Sequence, residues 1–336
     1  MASEYQLEQQ NDELRRTLQQ TQRQLAQKKA RVEDLVAATH DAARAAMLAM
    51  GPVKPVSTRR VLSGKGQPEV ALWHLTDWQG AKRTTTYNSQ VMRQRVMQFC
   101  EKAELITNIQ RKHHAVDECV VAFGGDMVEG LFNFPSQAHE IDATLFEQYV
   151  TVSRLIMDAV RYACSVYDKV TVVAEWGNHG RIGSKRDGVP RHDNIDRMCY
   201  ELARQTLAEQ PNLTWEDCPE DVQRIEVGQY RAIVLHGDEV GRNGFASPGT
   251  LTQHIARWQS GAYPWPFRDA YVGHYHTHAE WALPNGLGSV YQTGSTESDN
   301  RYAGVMLAAS ATPSQRLHFI DPEQGRVTSV YKVWLD

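Results

Sequence analysis

The chain has 336 residues, 41% of them hydrophobic, with 36 Lys and Arg against 40 Asp and Glu for a net charge of −4. That length and apolar content allow one large core plus an appendage, and the slightly acidic balance excludes a global basic field drawing the protein onto nucleic acid or an anionic membrane. The five cysteines, Cys100, Cys119, Cys164, Cys199 and Cys218, are scattered without a C-x-x-C pair, which speaks against a disulfide framework and for a reducing compartment. No apolar run approaches the roughly 18 residues that span a bilayer, so a soluble cytoplasmic protein without membrane partners is expected.

Residues 1–50 have a period of their own. Placing Leu7, Leu14, Leu35, Ala42 and Ala49 at heptad position d puts Leu18, Leu25, Val32 and Ala46 at a, with Asn11, Thr21, Lys28 and Thr39 as polar intruders. Such a seam on a helix rich in Gln, Glu, Arg and Ala predicts a coiled-coil oligomerisation helix, and with it a homo-oligomer. The alternative is a single solvated helix lying on the globular part. Gly51-Pro52 ends the helix, residues 51–67 read as a linker, and residues 68–336 form the remaining domain.

From Pro68 onward the chain alternates strand-like and helix-like pieces. Val70 to Thr76 is a strand running into Asp77-Trp78-Gln79-Gly80. Val91, Val96, Phe99, Ala103, Ile106 and Ile109 recur at helical spacing behind a cap at Asn88 or Ser89. Val120-Val121-Ala122-Phe123 then reads as a buried strand, and Gly124-Gly125 turns it sharply so that Asp126 sits at the mouth of the sheet. Leu145, Tyr149, Val152, Ile156 and Val160 mark a second amphipathic helix, and Val170 to Ala174 a strand running into Trp176-Gly177-Asn178-His179-Gly180. A third helix opens at Asp193 or Asn194 and runs to about Leu207. Strands follow at 222–227, 231–235, 270–272 and 289–292, with short strands to the C-terminus. This order predicts a layered α/β sandwich.

The strand ends carry the chemistry. Asp77 and Gln79, Asp126 and Glu129, Asn178 and His179, His236, and finally His274 and His276 each follow an apolar strand. One edge of the sheet thereby gathers carboxylate, amide and imidazole groups, more than one cation requires. His113, His114, His139, His254 and His318 have no comparable surroundings and read as structural; His278 reads as a neighbour of the site outside the ligand set.

Asp-x-Gln, Gly-Asp-x-x-Glu, Gly-Asn-His, a His before Gly, and Gly-His-x-His, in that order over roughly Leu72 to Ser295, resemble the calcineurin-like metallophosphoesterases. The resemblance implies a four-layer αββα sandwich with a dinuclear metal centre. It implies that Asp77 and His276 bind the first metal, that Asp126 bridges both, and that Asn178, His236 and His274 hold the second. His179 would face the phosphate and assist the leaving oxygen. Two positions depart from the family pattern. Gln79 stands where the family has His, a poorer ligand for later transition metals that points toward manganese, with iron, zinc and magnesium as alternatives. Gly180 stands where an acidic residue usually orients the catalytic histidine, leaving Glu129 and Asp238 as candidates for that role.

Two divalent ions about 4 Å apart lower the pKa of a shared water to roughly 7 and stabilise an in-line displacement at phosphorus, so phosphate ester hydrolysis is the expected reaction. Arg181, Lys185, Arg186 and Arg191 form a local basic loop, with Arg181 and Lys185 the candidate substrate-binding residues, and Trp258, Tyr263, Trp265 and Phe267 precede the last metal-binding stretch. These features lead to the expectation of a phosphodiesterase or nuclease acting on DNA, similar to the repair exonucleases and their relatives in bacterial viruses, located in the host cytoplasm if viral. The alternatives are an esterase for a small phosphorylated molecule or cyclic nucleotide, and a non-catalytic oligomeric binding protein with a degenerate site. The basic loop also reads as ordinary solvated surface, and the aromatics as residues packing a loop onto the core.

Overall fold

The computed structural model describes residues 34, 37–42, 44–45, 47–49, 53–59, 64–132, 137–183, 191–216, 222–240, 246–284, 286–299 and 312–336. The chain divides into two units, Met1–Ala49 and Met50–Asp336. In the first unit the described residues are helical; the rest of the expected heptad seam lies outside the described residues. Among the described residues no helix is long and apolar enough to cross a membrane.

The second unit is a mixed α/β sandwich of two sheets. The first has strand order β11-β10-β1-β2-β3-β4, with β1 (Val70–Leu75), β2 (Glu118–Gly124), β3 (Lys169–Glu175) and β4 (Leu213–Trp215) parallel. β10 (Ser314–Asp321) and β11 (Arg326–Trp334) join antiparallel at the edge. The second sheet has order β5-β6-β7-β9-β8, built from β5 (Gln223–Val227), β6 (Tyr230–Leu235), β7 (Asp269–Val272), β8 (Ala279–Ala282) and β9 (Ser289–Gln292). Its β6, β7 and β9 are parallel to one another.

Side-chain alternation along the strands separates the layers. Val70 and Leu72 of β1 join Ala232, Val234 and Tyr271 in the core between the sheets. Trp73 points the other way, its ring 5.5 Å from Phe99 of α1 (Ser89–Gln110). α2 (Leu145–Val166) and α3 (Ile195–Thr206) accompany α1, α2 opening with a reciprocal capping box between Thr144 and Glu147. On the far side, Leu251 and Ile255 of α4 (Pro248–Arg257) pack with Ile233, Leu235, Ala270 and Val272 of the second sheet. The layer order is therefore helix, sheet, sheet, helix.

Several details depart from the expected elements: β4 and β8 match no expected strand, and β10 and β11, expected as short strands, run 8 and 9 residues. α4 falls in a region read as strands and loop: only Leu251 and Ile255 are buried on it, too few for a helical period to stand out. The segment 53–59, read as linker, is bonded to the domain, with the Val56 N–H donating to Gln210 Oε1 at 2.9 Å and Gln210 Nε2 donating back to the Val56 carbonyl at 3.0 Å.

Candidate metal centre

Parallel strands bring their C-terminal ends to one edge, and the residues following β1, β2, β3, β6 and β7 meet there. Asp77, Gln79, Asp126, His274 and His276 all have positive φ, between 47° and 68°. Left-handed backbone costs a non-glycine residue of order 1–3 kcal/mol and persists only where the surroundings over-determine it. Here the surroundings are specific. The Asp77 N–H donates to the Gly125 carbonyl at 2.9 Å, the Gln79 N–H to the Asp126 carbonyl at 3.0 Å, and the His274 N–H to both Asp77 carboxylate oxygens at 3.0 and 2.9 Å.

Asp126 stands at the middle. Its Oδ2 lies 3.0 Å from His236 Nε2 on one side and 3.3 Å from the Gln79 amide nitrogen on the other. His236 Nδ1 donates to the Gly124 carbonyl at 2.8 Å, which leaves Nε2 as the atom facing the site. That nitrogen also lies 3.2 Å from Asn178 Oδ1 and 3.2 Å from His274 Nδ1. On the Gln79 side, His276 Nε2 is 3.2 Å from both Asp77 Oδ1 and the Gln79 amide nitrogen, while its Nδ1 is 3.2 Å from Glu297 Oε2. Two half-sites thus share Asp126: Asn178, His236 and His274 on one flank, Asp77, Gln79 and His276 on the other.

Such a donor set fits cations. Asp126, His236 and His274 each present a ligand atom within 4.8 Å of the others. Among the described residues, Gln79 Oε1 is buried without a hydrogen-bond partner, a cost that a cation would relieve. Burial pushes the Asp126 carboxyl up, but His236 and His179 beside it outweigh burial and hold it well below the usual carboxylate range. Burial would lower the His276 imidazole, yet the Asp77 and Glu297 carboxylates hold it at about 10. For His274, burial and the neighbouring His236 together lower it to about 4. The carboxylates concentrate a negative potential that protons satisfy on the His236 and His276 imidazoles and that divalent ions would satisfy in their place.

His179 is placed beside the ligand cluster by its main chain, whose N–H donates to Asp126 Oδ1 at 2.7 Å. Its Nδ1 lies 3.1 Å from the Glu129 carbonyl and 3.3 Å from Glu129 Oε2, leaving Nε2 toward the centre, 3.9 Å from Asp126 Oδ2. Burial would depress this imidazole, but Asp126 and Glu129 raise it to about 9. Of the two carboxylates considered as substitutes for an acid at position 180, Glu129 therefore reaches His179. Asp238 instead accepts from Arg181 at 2.7 Å. Lys82 Nζ holds Glu129 from behind, 3.3 Å from its Oε1 and 2.7 Å from Glu140 Oε2. No side chain fits at Gly180, where a Cβ would stand 2.3 Å from Asn194 Oδ1.

Two residues that sequence reasoning missed complete the frame. Asp196, in the first turn of α3, accepts from the backbone N–H groups of Asp126, Met127, Val128 and Gly177 at 2.8 to 3.1 Å, stapling the β2 and β3 ends together. Glu297, behind His276, follows β9 at the same edge; its place after a parallel strand was the available signal. Of the candidate substrate residues, Arg181 lies against Asp238, and Lys185 and Arg186 lie outside the described residues. Arg191 is held by Glu175 and Glu239.

The aromatic group lies elsewhere. Trp258, Tyr263 and Trp265 pack with buried Phe267 on the outer core of the second sheet. The Arg224 and Arg231 guanidiniums sit 5.6 and 5.8 Å over the Trp265 ring. Arg231 is near the start of β6, whereas His236 follows its end, so these rings serve packing at the opposite edge from the candidate metal centre.

No family model matches the chain, and no curated protein matches it. Among solved structures it is similar to Vps29 from Entamoeba histolytica complexed with zinc, at 12% identity and a TM-score of 0.36 over 79% of this chain and 99% of that one. It is similar to a putative 5'-nucleotidase from Staphylococcus aureus, at 12% identity and a TM-score of 0.35 over 80% of this chain and 54% of the other. A conserved protein from Streptococcus pneumoniae, described as a predicted phosphoesterase, gives 11% identity and a TM-score of 0.29 over 80% and 99%. At these values the functional reading rests on the site's own geometry.

Proposed function

We propose that the protein is a metal-dependent phosphoester hydrolase with a dinuclear centre of the calcineurin-like kind. The observation that carries this reading is the Asp126 carboxylate set between His236 and Gln79, with a separate cluster of donors on each flank. Asp77, Gln79, Asp126 and His276 would hold one divalent ion, and Asp126, Asn178, His236 and His274 the other. Bound there, the ions would supply Lewis acidity toward a phosphoryl oxygen and make water a nucleophile near neutral pH. The chain's own residues supply the rest. Asp196 fixes the loops that carry Asp126 and Asn178, and His179, raised toward its protonated form by Asp126 and Glu129, is placed to give a proton to the departing oxygen.

The finer reading is a phosphodiesterase or nuclease acting on DNA, with Arg181 and Lys185 binding its phosphates. Its support is the basic composition of the sequence 181–191, which directly follows Asn178-His179-Gly180. The aromatic rings lend it none, and Arg181 would meet a phosphate while also bonded to Asp238. Manganese suits a half-site completed by an amide and carboxylates.

With manganese, bis(4-nitrophenyl) phosphate, 4-nitrophenyl phosphate, cyclic nucleotides and labelled single- and double-stranded DNA can be compared side by side. Hydrolysis of an ester that stops on chelation is the expected result. Turnover of DNA in preference to the small esters supports the nuclease reading, and the reverse preference overturns it. Full metal content with no turnover of any of them overturns the hydrolase reading in favour of a binding protein.

A further inference from the structure

The two flanks of Asp126 are built unequally. His236 and His274 give one flank two imidazoles beside the Asn178 amide; the other has one imidazole, His276, beside the Gln79 amide and the Asp77 carboxylate, and so is the poorer in nitrogen donors. An amide oxygen is a weaker donor than an imidazole nitrogen. The chain places a further carboxylate on this poorer flank, Glu297, whose Oε2 is 3.2 Å from His276 Nδ1.

Glu297 is 4% exposed and is seated by several contacts. Its N–H donates to Ser295 Oγ at 2.9 Å, and the Ser295 hydroxyl donates to the Asp77 carbonyl at 2.6 Å. Buried Gln315 on β10 joins the same two segments: its Oε1 accepts from the Thr76 N–H at 2.8 Å, and its amide donates to the Thr76 and Gly294 carbonyls at 3.1 and 2.7 Å. The residues carrying Glu297 are thereby sewn to those carrying Asp77. Neither can shift alone.

We propose that Glu297 is a positioning residue for His276, holding the imidazole with Nδ1–H toward its carboxylate and Nε2 toward the Asp77 half-site. This deepens the dinuclear reading and rests on it. A carboxylate behind a ligating imidazole fixes the tautomer and ring orientation and makes the facing nitrogen more basic. On this flank it offsets the weak donor at position 79. The site behind Asp77 and His276 then depends on Glu297, whereas the site behind His274 and His236, where the Gly124 carbonyl orients the His236 ring, does not.

Manganese titration by calorimetry, with electron paramagnetic resonance of the loaded protein, tests this in the full chain. The wild type is expected to take up two equivalents and show a spin-coupled pair. In Glu297→Ala one equivalent keeps its affinity, the other weakens by roughly 10- to 100-fold, and the coupled signal is lost at metal concentrations that saturate the wild type. Glu297→Gln, whose amide oxygen still accepts from Nδ1–H, falls between the two. Near-UV circular dichroism without metal checks folding, and if the alanine variant does not fold, the glutamine variant carries the comparison alone. Two equivalents bound with wild-type affinity by the folded variant overturn the role of Glu297 and leave the dinuclear reading standing. A wild type that binds no manganese overturns both.

Discussion

Glu129 Oε2 lies 3.3 Å from His179 Nδ1, and the two side chains belong to loops that follow different strands. Replacing His179 by Ala is expected to lower kcat on a phosphoester by about 10²–10⁴-fold, the usual worth of a proton-transfer group, while leaving metal content unchanged. Replacing Glu129 by Gln should lower kcat less, because the His179 main chain stays bonded to Asp126. Steady-state kinetics beside metal analysis decides the point; a His179→Ala protein that turns over normally removes His179 from the reaction.

Divalent ions should stabilise the fold. A cation at a hundred times its dissociation constant adds about 2.7 kcal/mol per site, provided it binds only the native state. The thermal midpoint is expected to rise with manganese and fall on chelation, and Asp126→Asn should abolish most of that response since both half-sites use this carboxylate. A midpoint indifferent to metal would count against the centre.

Gly180→Asp would place an acid directly after His179 in the sequence, yet it should harm the protein. The new Cβ would meet Asn194 Oδ1 at 2.3 Å, and that oxygen accepts the Asp196 N–H at the start of α3. Overpacking and a disturbed cap together should cost about 1–3 kcal/mol, read from urea unfolding. An unchanged unfolding midpoint would show that the loop has room to spare.

Acid should weaken the protein through two buried histidines. Burial holds the His74 and His318 imidazoles well below their ordinary value, with Arg316 beside them acting in the same direction. The unfolded chain takes up protons below about pH 6.5 and the native state does not, so each group removes up to about 1.4 kcal/mol of stability per pH unit below that point. His318 bonds to both the Tyr271 hydroxyl and Arg316, at 3.0 and 2.9 Å, a pattern that a glutamine amide can also make. His318→Gln is expected to flatten the loss between pH 7 and 5.5 in urea titrations. An equally steep loss in the variant would move its origin elsewhere.

The candidate ligands were legible because each follows a strand with a strong apolar pattern, and parallel strands deliver their C-terminal ends to one edge. Asp77, Asp126, Asn178, His236, His274 and His276 needed little more than that rule. Asp196 and Gln315 were not legible: one looks like an ordinary acid in a first helical turn, the other like a polar residue in an edge-side strand, and their partners are backbone groups far away in sequence. Ranking Glu129 above Asp238 likewise required knowing that Arg181 occupies the latter. The aromatic residues before β7 carried no direction at all, and only the packing of α4 against the second sheet shows which way they face.

The bond from Ser295 to the Asp77 carbonyl spans 218 residues, and the one from Gln315 to Thr76 spans 239. During synthesis the first aspartate of the centre leaves the ribosome long before the glutamine that seats its loop. Until β10 is inserted beside β1, a nascent chain carries most of the candidate ligands without the frame that seats the Asp77 loop, so their geometry is set only after β10 has emerged.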